Sequence, residues 1–228
     1  IWLANKLEKK VYQASQQVVV LSKGMHAELL KNGLPNNKLR TITNLSDVEH
    51  FNVSSKKGQR FRQNFSWLAD RPLVVYTGAF GRINGLSYLV KIALEMKKLN
   101  QEVRFLLAGD GYERDQLSHQ AEKCGILNQT LFFIDYLPKD QMPVLLSAAT
   151  VATSFFIDLP EMENNSANKF FDALAAGRPI MINYGGWQAD LLQETKAGLV
   201  VPAGDPRTAA SQLNTLISDQ VALSKMCA

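Results

Sequence analysis

Apolar positions along this chain fall into short continuous runs, separated by longer stretches in which they recur every three or four residues. Q-V-V-V-L-S at Gln17–Ser22, L-V-V-Y-T at Leu73–Thr77, V-R-F-L-L-A at Val103–Ala108 and L-F-F-I at Leu131–Ile134 are runs of the first kind. Their length and their β-branched and aromatic content predict strands covered on both faces. Further strands are predicted at Leu39–Thr43, Val151–Ser154, Ile180–Asn183 and Gly198–Val201. The periodic stretches predict helices from Lys23 to about Asn32 and over Gln59–Trp67, Leu86–Leu99, Tyr112–Cys124, Lys139–Ala149, Ala167–Ala176, Gln188–Thr195 and Pro206–Ile217. Strands alternating with helices define the α/β class, here a Rossmann-like parallel sheet with helices on both faces.

The polar run D-V-E-H-F-N-V-S-S-K-K-G predicts an irregular linker over 47–58. It divides the chain into an N-terminal portion, 1–46, and a larger C-terminal domain, 59–228. The chain opens inside a helical pattern, W-L-A-N-K-L-E-K-K-V-Y from Trp2, and closes inside another, so it reads as part of a longer protein.

Composition narrows the chemistry. A net charge of +4 spread over 228 residues, without aromatics interleaved in a dense Lys/Arg patch, gives no support to nucleic-acid binding. Cys124 and Cys227 lack metal-ligand spacing and read as reduced thiols of a cytoplasmic protein. His26, His50 and His119 have no Cys or His at ligand spacing, so no metal site is predicted. No apolar run approaches the ~20 residues needed to span a bilayer. The basic K-L-E-K-K helix face is either solvated or laid peripherally against anionic lipid at the inner membrane face.

Candidate chemistry concentrates in S-A-N-K-F-F-D-A-L-A-A-G-R-P, Ser166–Pro179. A loop there enters a helix whose first N–H groups lack partners and whose dipole favours anions. Lys169 would reinforce a phosphate at that end, and Asp172, three residues on, could accept from ribose hydroxyls. The alternative is a solvated Lys169–Asp172 pair on a helix surface. Three loops at predicted strand ends point at the same edge. T-G-A-F-G-R-I-N-G (Thr77–Gly85) carries Gly78, Gly81 and Arg82, and reads as a phosphate loop or as a tight turn. Gly109-Asp110-Gly111 reads first as a turn. In D-Y-L-P, Tyr136 and Leu137 could meet a nucleobase, or Tyr136 could pack.

Taken in order, these parts resemble the family 4 glycosyltransferases of the GT-B fold. They are the glycine turn, G-D-G, F-F-I-D-Y-L-P, the helix D-A-L-A-A-G-R-P, Gly185-Gly186 and A-G-L-V-V-P-A-G-D-P. S-K-G-M-H-A-E-L-L and T-N-L-S-D resemble the end of the family's N-terminal domain and its crossing point. The resemblance implies a retaining transfer from a nucleotide sugar, a UDP-N-acetyl sugar above all, to a glycan or undecaprenyl-linked acceptor in O-antigen or capsule assembly. It implies no cofactor and no metal.

The departures from the family pattern matter. Counting back from Gly177 puts Asp172 and Asn164 where the family carries two glutamates, with Glu163 and Glu161 next door. The family's loop Arg and Lys fall on Ala79 and Asn84, leaving Lys169 and Arg82 to meet phosphate charge. The implied catalytic residues are thus Lys169, Arg82 and Asn164. Those implied to hold the donor are Gly78, Gly81, Asn84, Gly109, Gly111, Tyr136, Leu137, Glu163, Asn165, Ser166, Ala167, Asn168 and Asp172. N-K-F-F-D resembles a subgroup that transfers N-acetylated deoxyhexosamines such as fucosamine. Rival readings are a GT-B sugar-nucleotide epimerase, a hydrolytic carboxylate pair among Glu161, Glu163 and Asp172, and a nucleotide-binding piece without turnover of its own. Trp187 either roofs the sugar or packs.

Overall fold

The computed structural model describes residues 2–227, which form two parallel sheets. In the smaller, β1 (Val18–Val20) pairs with β2 (Leu39–Thr41), Val18 opposite Leu39. α1 (Trp2–Ala14) precedes it and α2 (Lys23–Lys31) makes the crossover. The Ser22 hydroxyl caps α2 by accepting from the Met25 N–H, one of the donors that a helix start leaves unpaired. α1 presents Trp2, Leu3, Leu7 and Val11 to solvent, an uncovered apolar stripe beside Lys6, Lys9 and Lys10.

α3 (Val48–Phe51) and α4 (Ser55–Gln63) lead into the larger sheet. Its strands are β3 (Leu73–Thr77), β4 (Arg104–Ala108), β5 (Leu131–Ile134), β6 (Val151–Ser154), β7 (Ile180–Ile182) and β8 (Gly198–Val200). They lie in the order β5-β4-β3-β6-β7-β8, every neighbour parallel. α5 (Leu86–Leu99), α6 (Arg114–Lys123), α7 (Met142–Ala148), α8 (Asn168–Ala175) and α9 (Trp187–Thr195) make the connections, and α10 (Pro206–Ser218) and α11 (Gln220–Met226) follow the last strand.

The continuous apolar run of β3 has the cause the sequence indicates. Val74 and Tyr76 join the core under α5, α6 and α10, while Leu73 and Val75 join the core under α7, and all four are buried. The strand order fixes the geometry of any site. The chain starts at β3 in mid-sheet, runs outward to β5, returns beside β3 at β6, then runs out the other way. Loops after β3 and β6 therefore part from each other, leaving a crevice at their carboxyl ends.

Three sequence expectations need correction. The 47–58 run is not irregular: Asp47 caps α3 by accepting from the His50 N–H, Ser54 caps α4, and Phe51 is buried in the core beside Phe170. One apolar residue anchors a run that polarity alone marks as a loop. Lys139–Ala149 is a 3-10 turn, Lys139–Gln141, followed by α7. The helix expected from Tyr112 starts at Arg114, because Gly111 holds φ +152 and the chain must turn first.

Candidate functional site

The site is built around the crevice between β3 and β6. Lys169, the second residue of α8, extends across it, and its Nζ donates to the Tyr76 hydroxyl and to Asn84 Oδ1, each at 3.1 Å. It also lies 4.6 Å from the centroid of the Tyr76 ring. The Tyr76 hydroxyl (2.8 Å) and Asn84 Nδ2 (3.0 Å) both donate in turn to the Ala79 carbonyl within the glycine loop. A Cβ on Gly78 would stand 3.7 Å from the Lys169 Nζ, so the loop and the ammonium are in contact distance. No carboxylate pairs with Lys169 among the described residues. Burial holds its ammonium down to about 8, against the ordinary 10.5, because a desolvated charge without a counter-ion is disfavoured.

No side chain caps α8, and although the Phe170 N–H donates to the Ala167 carbonyl, the Asn168 and Lys169 N–H groups have no partner among the described residues beside this cation. Asn168 is exposed there and Ala167 is buried as the cap residue. The helix end and the buried Lys169, which has no carboxylate partner among the described residues, together make this end of the crevice positive.

Lys169 and Asp172 do not pair with each other. The half-buried Asp172 carboxylate accepts from the Ser46 hydroxyl at 2.7 Å, which anchors the chain crossing from the small sheet. Burial raises the Asp172 carboxyl, against the lowering effect of Ser46, Lys139 and His50. Two further contacts join the same parts: Ser22 donates to the Asn164 carbonyl at 2.6 Å and Asn44 Nδ2 to the Ser166 carbonyl at 2.5 Å. Asn164 is pinned there. A Cβ on Gly24 would come within 1.8 Å of Asn164 Oδ1, so only glycine admits that amide against α2. Asn165 Oδ1 accepts from the Ser166 N–H, and the Asn165 carbonyl accepts from Trp187 Nε1 at 2.8 Å. Trp187 also lies against Phe170 and Phe171, so it packs.

The other expected residues spread further. Gly109 and Gly111 press on the first glycine loop: a Cβ on Gly109 would stand 1.9 Å from the Gly78 carbonyl oxygen, and one on Gly111 2.8 Å from the Phe80 backbone. Their absent side chains serve loop-on-loop packing, which is the turn reading. Gly81 starts the 3-10 turn Arg82–Asn84, and Arg82 on it is exposed, its guanidinium without an ion pair or hydrogen bond among the described residues. Asn84 is buried beneath Lys169 rather than open to a ligand. Tyr136 is exposed and Leu137 packs under α7; both follow β5, the sheet edge two strands from the crevice, where Asp135 pairs with Arg114 at 2.8 Å. Glu163 is exposed and lines, with Asn183 and Gly185, a separate cavity of about 310 Å³ at the ends of β7 and β8.

The sequence reading missed Tyr76 and the trio Ser22, Asn44 and Ser46. Tyr76 was hidden inside an apolar run, although a phenol on the last turn of a central strand needs a partner when buried. His26 bonds Thr41 and Asn36, a local role, and no cluster of three or more metal-binding side chains exists among the described residues.

Comparison with known proteins adds the family. Residues 58–228 match the model for "Glycosyl transferases group 1". The chain belongs to that family. An uncharacterised glycosyltransferase of Methanocaldococcus jannaschii is 22% identical over 90% of this chain and 52% of its own length. The α-D-kanosaminyltransferase of Streptomyces kanamyceticus is 20% identical over 95% of this chain and 55% of its own. The chain thus spans about half the length of these curated relatives. Among solved structures, HepE of Anabaena, in complex with UDP and glucose, superposes with a TM-score of 0.80 over 94% of this chain and 56% of its own, at 19% identity. That likeness shows the fold: an α/β parallel sheet flanked by helices, of the kind found in GT-B glycosyltransferases.

Proposed function

We propose that this chain carries the nucleotide-sugar site of a glycosyltransferase. One observation carries the reading: a desolvated lysine without a counter-ion, held over a glycine loop beside an uncapped helix start. Such a site is complete only when an anion enters it. The diphosphate of a nucleotide sugar supplies that charge, and breakage of the sugar–phosphate bond concentrates more of it on the leaving phosphate. Fixed donors at such a point contribute about 2.7–4 kcal/mol each in known cases. UDP in the HepE complex makes uridine the first nucleotide to try.

The finer reading follows the resemblance. The transfer retains anomeric configuration, the donor is a UDP-N-acetyl sugar of the deoxyhexosamine kind, and the acceptor is a glycan or a lipid-linked glycan of the cell surface. Asp172 turns from Ser46 to the ribose, and Asn164 stays with α2 while Arg82, unpaired on its turn, swings to the phosphate. No metal is needed where Lys169, Arg82 and helix N–H groups face the charge. The uncovered stripe of α1 with its lysines suits a peripheral lipid contact near the acceptor.

Because the chain spans about half of its relatives, a second reading stands for the isolated piece: it binds nucleotide and turns nothing over, for want of acceptor groups that proximity catalysis requires. Calorimetric titration of UDP, GDP and TDP separates these ideas. UDP binding that weakens at least about tenfold in Lys169→Met supports the site; heatless titrations with all three nucleotides contradict it. Product analysis with UDP-GlcNAc distinguishes transfer from epimerisation.

A further inference from the structure

Lys169 is not held by its own helix. Two neutral groups from β3 and the turn after it fix where its charge sits, and they do so through one carbonyl. The Tyr76 hydroxyl and Asn84 amide each receive a hydrogen bond from Nζ and each donate one to the Ala79 oxygen. This arrangement has two electrostatic effects. It draws the Ala79 carbonyl, which would repel an anion, towards donors inside the protein. It also uses only two of the three ammonium N–H groups, leaving the third for a ligand. Tyr76 is fully buried and Asn84 nearly so, so neither can itself reach far into a cleft. Burial pushes the Tyr76 phenol well up, which keeps it an O–H donor throughout the physiological range.

We propose that Tyr76 and Asn84 are positioning residues for the nucleotide's diphosphate: they aim the Lys169 ammonium and turn the Ala79 carbonyl away from the anion. The inference rests on the nucleotide-sugar reading of the site and assigns Asn84 a place behind the ligand instead of against it. Neutrality of the pair is part of the device. A carboxylate at either position would satisfy the ammonium internally and leave the cleft without unbalanced charge.

The test uses the 228-residue chain, UDP as probe, and the titration of Lys169 followed by NMR of its labelled side chain in the absence of nucleotide. Asn84→Asp, nearly isosteric, is expected to raise the Lys169 titration midpoint and weaken UDP at least about tenfold, as charge-assisted pairing competes with the ligand. Tyr76→Phe is expected to lower the midpoint and weaken UDP about three- to tenfold, the size of one lost hydrogen bond. Both variants keep the fold's volume, and thermal melts check that they are folded. If neither substitution moves the Lys169 midpoint, the positioning role is wrong whatever UDP does. If Lys169→Met abolishes UDP binding while Tyr76→Phe and Asn84→Asp bind like the parent, the positioning role falls and the nucleotide reading survives. If the parent chain binds UDP and Lys169→Met binds it equally, the reading of the site falls, and the inference with it.

Discussion

Two cations sit at opposite ends of the same sheet, and among the described residues neither forms an ion pair. At the amino ends of the strands, Arg62 donates Nε to the Ala69 carbonyl at 3.0 Å, Nη1 to Ala148 at 2.6 Å and Nη2 to Arg71. At the carboxyl ends, Lys169 donates only to a hydroxyl and an amide oxygen, over the Tyr76 ring and beside the uncapped start of α8. The first cation is answered by carbonyl dipoles, including the one ending α7, and so it braces α4 against the turn before β3. The second is held by two neutral oxygens and no carboxylate, beside helix N–H groups of its own sign. A cavity of about 550 Å³ lies by Arg62 and Arg178 at the amino ends, where Arg178 Nε is buried without a hydrogen-bond partner among the described residues.

This contrast is sharpest where a substitution costs most. Gly109→Ala drives a methyl into the Gly78 carbonyl from a φ of +151, and should destabilise the chain by about 3–5 kcal/mol in urea unfolding. Gly204→Ala, with open space around it, serves as the control and should stay within about 0.5 kcal/mol. Arg62→Met strands three carbonyls and should cost about 3 kcal/mol, while the folded fraction binds UDP like the parent. Normal stability in Arg62→Met would erase the distinction between the two ends.

Lys169→Met should do the reverse. It removes an uncompensated charge and stabilises the ligand-free chain by about 1–2 kcal/mol at pH 7, while UDP weakens. The pH dependence has a definite sign. The folded ammonium titrates near 8 and the unfolded one near 10.5, so the cost of the charge is fully present below pH 8. Between those values the unfolded chain holds more protons, stability rises with pH, and the advantage of the variant should vanish by about pH 10.5. Denaturant melts at pH 7, 9 and 10.5 check it. Smallest is Asp172→Asn: Ser46 can still donate to the amide oxygen, so stability should change by about 0.5 kcal/mol or less. UDP should weaken about fivefold if the carboxylate takes the ribose.

The fold was legible because it rests on period and run length. L-V-V-Y-T and V-R-F-L-L-A form buried strands, and the strand–helix rhythm that they set gives a parallel sheet with helices on both faces; the order of its six strands was not legible. The place of Lys169 at a helix start was legible too, since a lysine after a loop at a helix start has a local signature. Its partners were not. Tyr76 and Asn84 lie 93 and 85 residues away in the chain, and only the return of β6 beside β3 brings α8 to them. The same holds for Asn164 and Asp172, which contact Ser22 and Ser46 across 142 and 126 residues. Helical spacing put Lys169 and Asp172 on one face, but Lys169 reaches towards β3 while Ser46 holds Asp172. Gly109 and Gly111 suggested ligand approach, and backbone packing uses the same freedom.

The most direct measurement is calorimetry of UDP binding at pH 8 in two buffers of different ionisation enthalpy, on the parent chain and on Lys169→Met. The parent should take up as much as about half a proton per UDP bound, because the diphosphate restores the ammonium's affinity for its proton. Lys169→Met should take up none and bind at least about tenfold more weakly. Equal affinities, with the same proton uptake in both proteins, would show that the anion docks without Lys169 and would contradict the account.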